Sequence, residues 1–167
     1  EGHMHDPFLM SGMQEAVDRI QAAIEKKEKI RIYGDYDADG VCSSALLARM
    51  FKRLNAQADV YIPHRIQEGY GLNKAAIDRA KREDISLIVT VDNGISAAEE
   101  TDYARQLGID VIVTDHHEPP EQLPDAAYTI INPKQTDCPY PFKQQAGVGV
   151  AYKLAIALTG MSEPEWR

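Results

Sequence analysis

Cysteine is scarce in these 167 residues: there are two, Cys42 and Cys138, with no CxxC pair and no finger-like spacing. That excludes a disulfide-built scaffold and a cysteine-held zinc site, and it fits a reducing, cytoplasmic setting. Long apolar runs are missing too. Hydrophobic residues make up 44% of the chain, and no run approaches the ~20 residues that span a bilayer, so no membrane partner is expected. No secretory leader is visible; residues 1–4, with Gly-His-Met, read as a cloning scar, which makes His3 and His5 weak metal candidates. Positive charge is in deficit, with 18 Lys and Arg against 26 Asp and Glu, a net −8. On electrostatics alone this disfavours a polyanionic partner, unless cations are bound where phosphate must sit or a further domain carries the basic surface.

What is present is organised around residues 30–44, IRIYGDYDADGVCSS. A short apolar run stops at Gly34, Asp35, Asp37 and Asp39 follow on alternate positions, and after Gly40 the spacing becomes helical. This reads as strand, tight turn, helix. Like charges so crowded raise one another's pKa, and a bound cation relieves the cost. Oxygen-only donors select a hard divalent ion. An EF-hand loop fails, because it needs a bidentate Glu where Leu46 stands and a helix in front. An aspartyl-phosphate phosphatase also places Asp-x-Asp after a strand, but it needs a downstream Lys and further acids. A metallo-phosphoesterase needs more ligands at the ends of other strands.

Two other apolar runs meet that condition. Residues 87–91 end at Asp92-Asn93-Gly94, and residues 111–113 run into Asp115-His116-His117. In a parallel α/β sheet such positions share the carboxyl edge, where these folds bind ligands. Single Asp or Asn residues there are usually turn or cap residues; three ligand-rich strand ends together point to a site.

The rest of the chain alternates in the same way. A helix with Met13, Val17, Ile20 and Ile24 on one side precedes the first strand. The helix after Gly40 runs to about residue 54, with Leu46, Leu47, Met50, Phe51 and Leu54 apolar and Cys42 packed in its first turn. Its amino end would favour phosphate or stabilise the Asp charges. Strands are expected at 60–62 and 128–131, and helices at 72–83, 97–107 (capped by Gly108) and 147–158. Residues 132–145, including Cys138, read as a surface loop. The expected fold class is α/β, a Rossmann-like, mostly parallel sheet flanked by helices, with one domain over residues 5–167.

The segments GDYDADG (34–40), VDNG (91–94) and TDHH (114–117), in this order and each after a strand, resemble the first three motifs of the DHH phosphoesterase family, and within it the single-strand-specific exonucleases. HDPFLM (5–10), PHRIQEGYGLN (63–73), CPYPF (138–142) and AGVGVAYKLA (146–155) extend the likeness over nearly the whole chain. The resemblance implies two Mn²⁺ or Mg²⁺ ions, with Asp37 serving one, Asp39 and His116 the other, and Asp35 a ligand or a water-orienting group. Asp92, alone at its strand end, is the candidate to bridge them. His117 would face substrate, polarising the phosphate or protonating the leaving oxygen. Asp92, His116 and His117 are thus the expected catalytic residues. Arg65, as a phosphate fork, and Tyr70, as a stacking ring, are expected to contact substrate with His117.

The implied activity is 5′-to-3′ hydrolysis of single-stranded DNA in recombination and repair, with a single-stranded-DNA-binding protein as a further partner. A DHH enzyme for short oligonucleotides or cyclic dinucleotides, and a non-catalytic DNA-binding module, are the alternatives. Two departures from the family stand out. Tyr33 occupies a position where some relatives carry a metal-binding His, and a phenol is a poor ligand for a hard ion. The family's fourth motif, with a further metal-binding Asp, and its DHHA1-type domain are not met within these 167 residues, so weak or no activity is expected of this stretch alone.

Overall fold

The computed structural model describes residues 11–35, 38–63, 71–132 and 147–159. Helix α1 (Met13–Glu25) leads into β1 (Lys29–Tyr33), followed by α2 (Ala38–Arg53), β2 (Gln57–Tyr61), α3 (Lys74–Arg82), β3 (Ile85–Val91), α4 (Ala98–Gln106), β4 (Asp110–Thr114), β5 (Thr129–Ile131) and α5 (Gly147–Thr159). The five strands form one sheet in the order β2-β1-β3-β4-β5, and every pairing is parallel. The Rossmann-like α/β class therefore holds, with the sheet wholly rather than mostly parallel among the described residues.

Strand alternation sorts the side chains into two cores. Ile30 and Ile32 of β1, Leu87, Val89 and Val91 of β3, and Ile112 of β4 face α1, α2 and α5, where Met13, Ile20, Leu47, Phe51 and Leu154 are buried against them. On the opposite face Tyr33, Ile88, Val111 and Val113 pack on Ile77 and Ala80 of α3 and Ala104 of α4. Each Val, Leu, Ile, Phe or Met side chain taken fully out of water contributes about 1.5–3 kcal/mol. Because β3 is buried on both faces, it reads in sequence as the near-continuous apolar run ISLIVTV, broken only by Ser86 and Thr90.

Local chemistry sets several boundaries. Asn73 caps α3, its Oδ1 accepting from Ala76 N–H at 2.8 Å. Gly108, at φ +82°, closes α4 as expected. The second strand lies at Gln57–Tyr61 rather than at 60–62, because its register against β1 runs from Lys29↔Gln57 to Tyr33↔Tyr61. Cys42 is exposed, not packed; the sheet-facing side of α2 is taken by Leu47, Met50 and Phe51. No helix among the described residues is long and apolar enough to cross a membrane.

Arg31, at the middle of β1, is almost wholly buried and grips Asp59 through both oxygens, at 2.9 and 2.8 Å, and Glu83, just before β3, at 2.5 Å. The hydrogen bond to Asp59 leads in raising its already high pKa. At the amino ends of the strands a cleft of about 610 Å³ opens between Lys29, Gln57 and Ile85. The ligand-type strand ends lie at the other edge of the sheet.

Candidate metal centre

The chain builds β1 and β2 on one side and then returns to place β3 on the other side of β1, so the strand order reverses between β1 and β3. Ligands of doubly wound sheets bind in the crevice at such a switch point, beyond the carboxyl ends of the strands. The sheet's ladder continues for one residue into each loop there. Gly34 N–H donates to Tyr61 O at 3.0 Å, Asp92 N–H to Thr114 O at 3.0 Å, and Asp115 N–H to Ile131 O at 3.1 Å. The residues that follow the strands are therefore held by the sheet rather than left on free loops.

Asp92, Asp115, His116 and His117 form one group, each offering a donor atom, all within 4.8 Å of one another. His116 Nε2 lies 2.5 Å from Asp92 Oδ1, and His117 Nδ1 lies 2.5 Å from Asp115 Oδ1. The two imidazoles stack, with centroids 4.5 Å apart. Both carboxylates are buried, whereas the His117 side chain is 44% exposed. Asp92 has φ +63°, a left-handed conformation that Asp and Asn tolerate better than other non-glycine residues. Gly94, at φ +107°, completes the turn; a Cβ there would meet Thr90 Oγ1 at 2.8 Å.

Other side chains brace these turns. Thr90 Oγ1 donates to Asn93 O at 2.8 Å, and Thr114 Oγ1 donates to Thr90 O at 2.6 Å. Asn93 Nδ2 donates to Tyr33 O at 3.2 Å and to Val91 O at 2.9 Å, joining the ends of β1 and β3. Asn132, buried just past β5, donates through Nδ2 to His117 O at 2.9 Å. Asp115 and Asn93 were read from sequence as parts of the ligand-rich strand ends, without roles of their own, and Asn132 was not singled out. Their signal was only that each directly follows or adjoins a strand end, which turn residues share.

Of the candidates read from sequence, Asp92, His116 and His117 are brought together. Asp35 is buried at the end of β1, packed on α2: a Cβ on Gly40 would lie 2.5 Å from Asp35 O and 2.6 Å from its Cβ. Asp39 belongs to the first turn of α2, but its side chain lies outside the described residues, as do Asp37, Arg65 and Tyr70. Tyr33 turns away from the crevice into the α3–α4 core, with its hydroxyl donating to Gly71 O at 2.8 Å. It plays no part in the donor group.

Buried carboxylate oxygens beside an imidazole nitrogen suit a divalent ion such as Mn²⁺ or Mg²⁺, so the residues present fit a metal. The sequence model of the DHH family, N-terminal domain, matches residues 29–165. The chain belongs to the DHH family.

Among curated DHH-family relatives, it is 55% identical over 160 residues to the single-stranded-DNA-specific exonuclease RecJ of Bacillus subtilis, covering 96% of this chain and 20% of that protein. The crystal structure of exonuclease RecJ bound to manganese superposes with a TM-score of 0.82 at 35% identity, over 90% of this chain and 38% of that one. RecJ from Thermus thermophilus in complex with Mg²⁺ superposes at 0.56 with 28% identity, over 90% of this chain and 17% of that one. The 167 residues thus span about a fifth of the length of the B. subtilis relative.

Proposed function

We propose that this chain forms the catalytic core of a metal-dependent nuclease that hydrolyses single-stranded DNA from its 5′ end in recombination and repair. The observation that carries the reading is the convergence of Asp92, Asp115, His116 and His117 at the carboxyl ends of β3 and β4, beside the sheet's switch point. RecJ relatives named as single-stranded-DNA-specific exonucleases support the substrate, and manganese- and magnesium-bound RecJ structures support the ions. The 5′-end polarity rests on the family resemblance.

Asp92 and His116 would hold metal directly, together with Asp37 and Asp39 by family resemblance, and with Asp35 as ligand or orienting group. When bound, divalent ions supply a Lewis acid that neutralises the phosphodiester and lowers the pKa of water. The chain's own residues do the rest. The amino end of α2, starting at Ala38, would offer backbone N–H groups and a positive dipole end to anionic groups. His117, the exposed member of the cluster, presents a ring nitrogen to substrate and gives a proton to the leaving oxygen. Arg65 would grip phosphate and Tyr70 would stack on a base.

A cytoplasmic setting belongs to this reading, since the exposed free thiol of Cys42 suits a reducing compartment. A single-stranded-DNA-binding protein is a further proposed partner. The test is an assay of the protein, at the length of its relatives, on 5′- and 3′-labelled single strands with Mn²⁺ or Mg²⁺. Release of 5′-terminal mononucleotides only with metal is the expected result. Binding of the strand with no turnover under any metal would overturn the enzymatic reading, and a strong preference for oligonucleotides of a few residues would redirect it.

A further inference from the structure

Asp115 has no task in the chemistry above, yet both oxygens of its carboxylate are engaged. Oδ1 accepts from His116 N–H at 2.8 Å and His117 N–H at 3.2 Å, and it lies 2.5 Å from His117 Nδ1. Oδ2 accepts from Ile95 N–H at 3.1 Å, three residues beyond Asp92. We propose that Asp115 is a positioning residue that holds His117 as its Nδ1–H tautomer and ties the turn bearing Asp92 to the strand end bearing both histidines. This rests on the reading of His117 as the proton donor to the leaving oxygen.

The tautomer follows from the donor and acceptor inventory. A carboxylate oxygen that already accepts two backbone N–H groups faces Nδ1 as an acceptor, so Nδ1 carries the hydrogen. Asp115 is 1% exposed and the His117 side chain 44% exposed, so the Nδ1 edge lies inward while the ring as a whole reaches the surface. When Nε2 gives its proton to the leaving oxygen, the neutral ring that remains is the Nδ1–H form, the one that Asp115 stabilises. An aspartate behind a catalytic histidine acts in this way in serine proteases, where the Asn variant leaves the geometry intact but the wrong tautomer. The main chain is fixed from the far side as well, since Asn132 Nδ2 donates to His117 O and Asp115 N–H donates to Ile131 O. One buried carboxylate thereby governs both the ring that faces substrate and the spacing of two strand-end turns.

The decisive experiment needs neither metal nor DNA, so it can fail while the nuclease reading stands, and the reverse. Histidine-selective ¹⁵N labelling of the metal-free 167-residue chain, recorded above the imidazole titration range, reads the tautomer of His117. The expected spectrum has Nδ1 protonated and Nε2 bare in wild type. In Asp115→Asn the amide can turn either its oxygen or its NH₂ to the ring, so a mixture or the Nε2–H form is expected. Wild-type His117 in the Nε2–H form overturns the proposal, and so does an unchanged Nδ1–H ring in folded Asp115→Asn. If that variant does not fold, the wild-type spectrum decides. In the protein at the length of its relatives, Asp115→Asn should lower kcat by roughly 100-fold or more with KM nearly unchanged. Mn²⁺ affinity should change by no more than about tenfold, the low end for a group that supports a ligand from behind. A metal-affinity loss as large as that of Asp92→Asn would make Asp115 a ligand instead and overturn the positioning role.

Discussion

Asp92 offers the sharpest test of the metal centre, and the structure dictates which substitution to use. Its backbone sits at φ +63°. Alanine there carries the left-handed penalty of about 1–2 kcal/mol, so Asp92→Ala mixes backbone strain with loss of the ligand. In a chain of this size, about 2–4 °C per kcal/mol translates that strain into a fall of about 2–8 °C in Tm. Asp92→Asn avoids the strain, because Asn tolerates the same conformation. Its fold-level cost is the change from a charged to a neutral partner for His116 Nε2, 2.5 Å away. Hydrogen bonds to charged groups contribute about 1.5–3 kcal/mol and neutral ones about 0.5–1.5, so roughly 1 kcal/mol is lost, or about 2–4 °C. The functional loss is far larger. A directly ligating carboxylate should cost more than the ~10–100-fold that a supporting residue does, so Mn²⁺ affinity should fall by at least about 100-fold, about 2.7 kcal/mol. Calorimetric Mn²⁺ titration beside a thermal melt separates the two effects. An Asp92→Asn protein that melts within a few degrees of wild type and still binds Mn²⁺ with wild-type affinity would refute the assignment of Asp92 as a ligand.

The two histidines should part company: His116→Ala should weaken metal binding, whereas His117→Ala should lower turnover more than metal affinity, and titrations in the opposite order would reverse the roles. Gly40→Ala should destabilise by about 1–3 kcal/mol, or about 2–12 °C in Tm, because its Cβ would drive into the main chain and Cβ of Asp35; an unshifted melt would show that α2 does not press on the end of β1. At the other edge of the sheet, hydrogen bonds from Arg31 and then Arg79 hold the Glu83 carboxyl below its ordinary value. A depressed folded pKa stabilises above the unfolded carboxylate range and loses that contribution as pH falls through the folded value. Glu83→Gln should therefore melt below wild type at neutral pH and converge with it in acid, and a pH-independent gap in urea midpoints would contradict the ion-pair account.

Much of the site was legible because its parts are local. β3 and β4 are buried on both faces, so they announce themselves as apolar runs, and the ligand-type residues follow in the next position or two. The DHH resemblance came from the same three segments. Four features were not legible. The strand order is a choice among topologies, and the parallel pairing of β3 with β4 carries Asp92 to His116 across 24 positions of sequence. Asp115 was legible as part of a ligand-rich strand end, but not its role, because that lies in the N–H of Ile95, twenty positions away, and in a ring edge that only packing turns inward. Tyr33 looked like a flawed ligand, but strand alternation sends it into the opposite core, where its hydroxyl meets Gly71. Cys42 has the spacing of a helix residue, and whether such a residue is covered depends on which side of α2 meets the sheet. Pattern and composition report what each segment can do alone, through its period, its breakers and its charges. Which donor atoms share a crevice, and which hydrogen bonds aim them, is decided only when distant segments pack, because those energies belong to pairs of residues that no single stretch of chain contains.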